Sequence, residues 1–135
     1  MDRRLPPATP RPSAGAFGSP PSGSDCARVV ARNEIYWANL GRPAGRRPVC
    51  VLTRDAAASV LNAVTCAPVT RTIRGIRSEV EIGLDEGLPE PCVINCDNIL
   101  TVPLADLDPQ PVGHLREVAR AHLDRALRYA LDIAY

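Results

Sequence analysis

Several residue types and motifs are missing from this sequence, and each absence narrows the chemistry available to the chain. Lysine does not occur, so all sixteen basic residues are arginines. The two histidines, His114 and His122, lie close together near the C-terminus, which gives little support to a histidine acid–base pair. HExxH, P-loop and GxGxxG motifs are also absent. We therefore expect that any catalytic activity relies on arginines and hydroxyl groups, with no metal ion and no cofactor.

Long apolar runs are missing as well, since no segment approaches the roughly 18 apolar residues of a membrane span. The first 32 residues carry six of the fourteen prolines, interspersed with Gly and Ser. Such a segment cannot bury enough apolar surface to offset its loss of conformational entropy. We predict a disordered tail over residues 1–32, without the apolar core of a signal peptide. One folded domain is expected over residues 33–135.

The five cysteines show neither a CxxC pair nor a neighbouring histidine. Cys50, Cys66 and Cys92 lie in or beside apolar runs, which is typical of buried cysteines. Because this usage suits a reducing compartment, we expect free thiols in a cytoplasmic protein that does not associate with membranes.

The charges are segregated along the chain. Between Arg42 and Arg77 there are seven arginines and one acid, and between Ser78 and Pro111 there are eight acids and no arginine. The net charge is only +1, so the whole molecule is not a general binder of polyanions. A basic pole could nevertheless hold one. The alternative is that ordinary loop charges cluster by chance.

The apolar pattern predicts several short strands followed by one helix. Strands are predicted at 34–40, 49–54, 63–70, 78–83 and 92–102, the last interrupted at 97–98. Pro68 predicts an edge or a bulge in the third strand. Residues 55–62 suit a short helix or turn capped by Asp55.

From His114 onward, apolar residues recur at helical spacing and predict an amphipathic helix of about 18 residues, with His122 at the edge of the core. The whole pattern predicts a small, bent antiparallel sheet or barrel closed by a helix.

Arg47 stands just before the predicted second strand, and Thr70 ends the third. If these strands are antiparallel neighbours, both residues lie at the same end of the sheet. The planar guanidinium of Arg47 could then bind a phosphate and stabilise the charge on a pentacoordinate phosphorus. Thr70 could orient the attacking group. This spacing by itself is a weak signal.

Five blocks of the chain resemble, in this order, the MazF/PemK family of toxin ribonucleases: EIYWANLG, GRRPVCVLTRD, VTCAPVTRTIRG, SEVEIG and GLPEPCVINCDNILTVP. The resemblance covers about residues 33–133. It implies a mainly β fold with a C-terminal helix, that is, a small SH3-like barrel of the MazF/CcdB type, and a homodimer. It further implies metal-independent cleavage of single-stranded RNA, by 2′-hydroxyl attack, to 2′,3′-cyclic phosphate and 5′-hydroxyl ends. A cognate MazE-like antitoxin would block the site.

The resemblance also implies roles for individual residues. The catalytic pair would be Arg47, in the Arg-Pro step, and Thr70, which closes the Pro-Val-Thr block. The other residues expected to contact RNA are Arg46 as a supporting cation, Arg54, Asp55 and Asn98 as base-reading groups by position, and Arg71, Thr72 and Arg74 beside the RNA backbone.

The chain departs from the family pattern at three places. The loop after the first strand is short and lacks the Gly-Ser-Glu type of insertion found in many members. Asn33 stands where a glycine is usual, and Asn98-Ile99-Leu100 replaces a Gln-Ile-Arg, so the cleaved sequence cannot be predicted. Two alternatives remain open. One is a CcdB-like toxin that binds a protein target without cutting RNA. The other is an inactive toxin that acts as a co-repressor with its antitoxin.

Overall fold

The computed structural model describes residues 30–134. Over this range the chain forms seven strands and two α-helices. The strands are β1 Glu34–Asn39, β2 Arg46–Val51, β3 Ala63–Thr70, β4 Glu79–Ile82, β5 Cys92–Asn95, β6 Leu100–Pro103 and β7 Gly113–His114; the helices are α1 Asp55–Ala58 and α2 Glu117–Leu131. The predicted disorder of the tail concerns mainly residues 1–29, which lie outside the described residues. Val30 is buried, so it belongs to the packed structure although the sequence assigned it to the tail.

The mainly β fold with a C-terminal helix is confirmed, and β3 has the predicted bounds. The second strand was predicted too late in the chain. It begins at Arg46, because Arg46 and Arg47 pair with Asn39 and Ala38 of β1. The helix α1 is shorter than predicted, and Arg54 occupies its N-cap position, so Asp55 is its first residue rather than its cap.

The central strand of the sheet is β3. It pairs with β2 on one side, where Val49 lies opposite Pro68. On its other side it pairs first with β6, up to Cys66, and then with β5, from Val69. Of the two alternatives predicted from Pro68, an edge or a bulge, the edge is therefore wrong. Pro68, which has no amide hydrogen to donate, lies at the point where β3 changes from one neighbour to the other.

Apolar side chains pack on both faces of this sheet. The helix-side core lies between the sheet and α2, and its fully buried members include Ile35, Cys50 and Leu123. The opposite core includes Tyr36, Val49 and Val64. Because successive residues of a strand point to opposite faces, adjacent residues such as Ile35 and Tyr36 enter different cores.

The terminal helix begins at Glu117, three residues later than predicted, and it buries Ala119, Leu123 and Ala126. His122 is exposed, so the expectation of a histidine at the core edge was wrong. The reason is geometric. Each helical residue turns the side chain by about 100°, so the neighbour of a central core residue such as Leu123 leaves the buried face.

Candidate active site

A groove of about 530 Å³ opens where β2 begins and β3 ends. It brings together five of the predicted site residues. The lining residues are Trp37, Arg46, Arg47, Pro48, Val69, Thr70, Arg71, Thr72, Leu88, Pro89, Glu90 and Cys92. The predicted meeting of the Arg-Pro step and the Pro-Val-Thr block at one end of the sheet is therefore observed.

The pairing of β2 with β3 positions Arg47 and Thr70. Val49 lies opposite Pro68, Cys50 opposite Ala67, and the strands run antiparallel. The observed pairing ends at Val49 and Pro68, so the two strands leave the ladder just before Arg47 and Thr70. Both residues line the groove at this end of the sheet, so one small group can contact both.

Arg47 has an unsatisfied donor. Its Nε is buried and has no hydrogen-bond partner among the described residues. Buried donors are nearly always paired in folded proteins, so an exception calls for an explanation such as an absent ligand. A phosphate oxygen is a suitable acceptor, because the guanidinium presents several donors in one plane.

The Thr70 hydroxyl is fixed on one side only. Its Oγ1 accepts a hydrogen bond from the Thr72 amide at 3.2 Å, in a local turn after β3. No acceptor for the hydroxyl proton is found in residues 30–134. Since a hydroxyl can accept and donate at once, Thr70 keeps one donor for a ligand in the groove.

The other two arginines of the groove are paired with acids. The guanidinium of Arg46 donates to both carboxylate oxygens of Asp108, at 2.9 and 2.5 Å, and this hydrogen bonding raises its pKa. Arg71 lies 3.0 Å from Glu90. The acidic segment of the sequence thus neutralises part of the basic pole. Among residues 30–134, Arg47 is the arginine of the groove without an ion pair to an acid.

The thiol of Cys92 also lines the groove. Burial raises its pKa most, Glu90 raises it further, and Arg71 partly opposes this shift. A thiol with a raised pKa is a poor nucleophile at neutral pH, because the thiolate is the reactive form. Cys92 therefore lines the groove and does not serve as a nucleophile.

Four predicted residues do not line this groove: Arg54, Asp55, Arg74 and Asn98. Arg54 lies beyond the far end of β2. Arg54 is seven positions after Arg47, and a chain of that length spans on the order of 20 Å when extended, as it is up to Val51. Asp55 accepts a hydrogen bond from the Arg32 amide at 2.7 Å, and the Arg74 amide donates to Glu79. Asn98 is exposed at the end of a 3₁₀ turn.

Sequence reasoning missed Trp37, Glu90 and Asp108. Trp37 gave a signal that could have been used, because a large aromatic residue near the end of a strand lies close to the start of the next strand, where Arg46 and Arg47 stand. Asp108 gave none, since it is 62 residues from Arg46. Within residues 30–134, no group of three or more His, Cys, Asp or Glu side chains is arranged to hold a metal ion. No helix in that range has the length and apolarity needed to cross a membrane.

Comparison with known proteins identifies the family. A family model described as a PemK-like, MazF-like toxin of type II toxin-antitoxin systems matches residues 31–131. The chain belongs to this toxin family.

Two curated relatives and one solved structure support the assignment to the MazF-like toxins. The probable endoribonuclease MazF5 of Mycobacterium tuberculosis is 39% identical over 106 residues, which are 77% of this chain and 94% of that protein. The endoribonuclease MazF3 of the same species is 40% identical over 87 residues, 64% of this chain and 84% of that protein. The structure of the M. tuberculosis toxin MazF-mt6 superposes with a TM-score of 0.70 at 36% identity, covering 76% of this chain and 99% of that one. The fold predicted from the MazF resemblance is thereby confirmed.

Proposed function

We propose that this chain is the toxin of a type II toxin–antitoxin system and a sequence-specific endoribonuclease. It acts in the cytoplasm, cleaves single-stranded RNA without a metal ion, and so inhibits translation and growth. Family membership and relatives that are named endoribonucleases support this function. The observation that carries it is the buried Nε of Arg47, which has no hydrogen-bond partner among the described residues and belongs to the groove that Thr70 also lines.

The proposed reaction uses the substrate's own 2′-hydroxyl. This oxygen attacks the adjacent phosphorus, a 2′-O–P bond forms, the P–O5′ bond breaks, and a proton passes overall from the 2′-oxygen to the leaving 5′-oxygen. The products are a 2′,3′-cyclic phosphate and a 5′-hydroxyl, and no water is consumed. DNA lacks the 2′-hydroxyl and should resist cleavage.

Arg47 and Thr70 would stabilise the charge that develops on the phosphoryl oxygens. The guanidinium of Arg47 donates to a nonbridging oxygen, and its permanent charge makes this bond stronger than a neutral one. The Thr70 proton is free to donate to the same group or to orient the attacking oxygen. A preorganised donor of this kind contributes about 10²–10³ in rate.

Arg71, Thr72 and Arg46 continue the groove beyond this pair, where they would contact flanking nucleotides. Arg71 is exposed, so a phosphate can compete with Glu90 for it in water. Four of the predicted residues lie outside the groove: Arg54, Asp55, Arg74 and Asn98. Their contacts with RNA remain predictions, and such contacts require an RNA that extends beyond the groove.

Two protein partners belong to the proposal. A cognate MazE-like antitoxin is expected to lay an acidic segment across the groove, because a basic RNA site attracts anionic mimics. Charge reversal at Arg47 and Arg71 should then weaken antitoxin binding, and unchanged binding would contradict it.

A homodimer is also expected. A second groove, of about 810 Å³, has an apolar rim that includes Val60, Leu61 and Leu131, all exposed in the single chain. A second copy would cover these side chains. Sedimentation of wild type and Leu131→Arg tests this expectation, and a monomeric wild type would refute it.

The function is tested by incubating purified protein with a long RNA in EDTA, followed by analysis of the fragment ends. We expect discrete fragments with cyclic phosphate ends from the wild type and none from Arg47→Ala. Arg125→Ala is the matched control, since it removes the same charge from an exposed position on α2 outside the groove. Cleavage by Arg47→Ala at the wild-type rate would refute the site. Failure of the wild type to cut any of several RNAs would favour a protein-binding toxin.

A further inference from the structure

Trp37 is an exposed aromatic side chain at the edge of the groove. It lies on the same face of β1 as Ile35, which is fully buried, yet it keeps 36% of its own surface exposed. Leaving a large aromatic ring open to water forgoes the stabilisation that burial would give. An exposed ring in a concave basic site therefore favours a ligand with a flat apolar surface.

Two polar residues hold this ring in place. The guanidinium carbon of Arg46 lies over the Trp37 ring, 5.6 Å from its centroid. Asp108 fixes that guanidinium with two hydrogen bonds, and its own amide donates to the Trp37 carbonyl at 2.9 Å. Trp37 and Arg46 come from the neighbouring strands β1 and β2, Asp108 comes from a distant segment, and the three close a ring of contacts. We call them the Trp37 platform.

The platform adjoins the proposed catalytic pair. Trp37 lies opposite Pro48, the residue that follows Arg47 in β2. Trp37 and Arg47 also line the same groove, so a group that stacks on Trp37 lies close to the proposed phosphate site. In single-stranded RNA, the flat aromatic group nearest to a phosphate is a nucleobase, which the intervening ribose carries.

We propose that the Trp37 platform is a stacking subsite for a nucleobase adjoining the scissile phosphate. This inference rests on the proposed function and names a positioning element for it. The Trp37 ring supplies the stacking surface, and Arg46, held by Asp108, extends it with a planar cation. Arg46 thus serves the base rather than the phosphate, which explains why its charge is already neutralised by Asp108.

The expected effect follows from known stacking energies. Replacing an aromatic residue that stacks on a base lowers the affinity for single strands by about ten-fold or more. Trp37→Ala should therefore bind RNA about ten-fold more weakly, whereas Trp37→Phe should keep most of the affinity. Tyr129→Ala is the matched control, because Tyr129 is an exposed aromatic residue of α2 outside the groove.

The test uses RNA that cannot be cut. Its sequence is the cleavage sequence mapped with the wild type, its sugars are 2′-O-methylated, and a series of probes carries one abasic nucleotide at each position. Trp37 is the single tryptophan of the chain, so its fluorescence reports directly on this subsite. Binding is measured by fluorescence for the wild type and by anisotropy of a labelled probe for all variants.

We expect quenching of Trp37 and one abasic position at which wild type and Trp37→Ala bind equally weakly. At the remaining positions the ten-fold difference should persist, which a merely structural role of Trp37 would not produce. Melting temperatures separate loss of fold from loss of binding. Equal affinity of a folded Trp37→Ala for the intact probe would overturn the inference while leaving the ribonuclease assignment intact. A wild type that neither cuts nor binds RNA would overturn both.

Discussion

The substitution Arg47→Met should have opposite effects on the stability of the protein and on its rate of RNA cleavage. The buried Nε of Arg47 has no partner among the described residues, and such an unsatisfied donor costs about 1–3 kcal/mol. Methionine keeps a long apolar stem and removes the donor. We therefore expect the free energy of unfolding to stay constant or to rise by about 1 kcal/mol. The rate of RNA cleavage should fall by about 10²–10³, because the charge on the phosphoryl oxygens loses its donor.

Urea unfolding monitored by circular dichroism measures the first quantity, and single-turnover cleavage in EDTA measures the second. An increase of 1 kcal/mol would raise the melting temperature by about 4 °C or more in a domain of this size. Arg47→Lys adds a useful comparison, since it keeps the charge without the planar fork and should recover only part of the rate. A variant Arg47→Met that is clearly less stable and still cuts RNA would refute the reasoning.

Three further predictions concern other parts of the structure. Glu90→Gln releases Arg71, so RNA affinity should rise by about two- to five-fold at low salt and the gain should shrink in high salt; filter binding that shows no gain would contradict this. Burial raises the pKa of Cys66 to about 12, so the unfolded thiol ionises first and stability is lost as the pH rises from about 9 towards 12. Denaturant titrations should show a shallower alkaline loss for Cys66→Ala, and equal slopes would argue against it. Gly87 has φ +92°, and an added Cβ would lie 2.4 Å from the Val112 carbonyl oxygen. Gly87→Ala should therefore lose about 2 kcal/mol or more, which thermal melting can check.

Local patterns in the sequence were sufficient for much of the fold. The apolar run in 63–70 predicted β3, which is buried on both faces, and the helical spacing after His114 predicted α2, which is buried on one. The Arg-Pro step and the Pro-Val-Thr block predicted the pair Arg47 and Thr70, and the antiparallel pairing of β2 with β3 brings both to one groove. That part of the site depends on neighbouring strands, which a sequence pattern can reveal.

The remaining parts of the site depend on contacts between distant segments. Asp108 binds Arg46 from a position 62 residues away in the sequence, and no local sequence pattern predicts this contact. Position alone suggested Arg54 for the site, but a strand carries its two ends far apart, so a residue beyond one end cannot join a groove at the other. Pro68 suggested an edge strand, and this prediction failed for a related reason. A missing donor marks an edge only where a strand keeps one neighbour along its whole length, and β3 changes neighbours there.

β3 pairs with β6 over its first half and with β5 at its end, and this arrangement should make unfolding of the domain cooperative. Its residues contribute to both cores, with Val64 in one and Val69 in the other. Opening either core exposes a strand that the other core also requires, so the two should unfold together in one transition. Thr70, at the end of that strand, can then be displaced only when the whole domain opens. A toxin built this way has no partly folded form that keeps its groove, and hydrogen exchange along β3 should proceed at the rate of global unfolding.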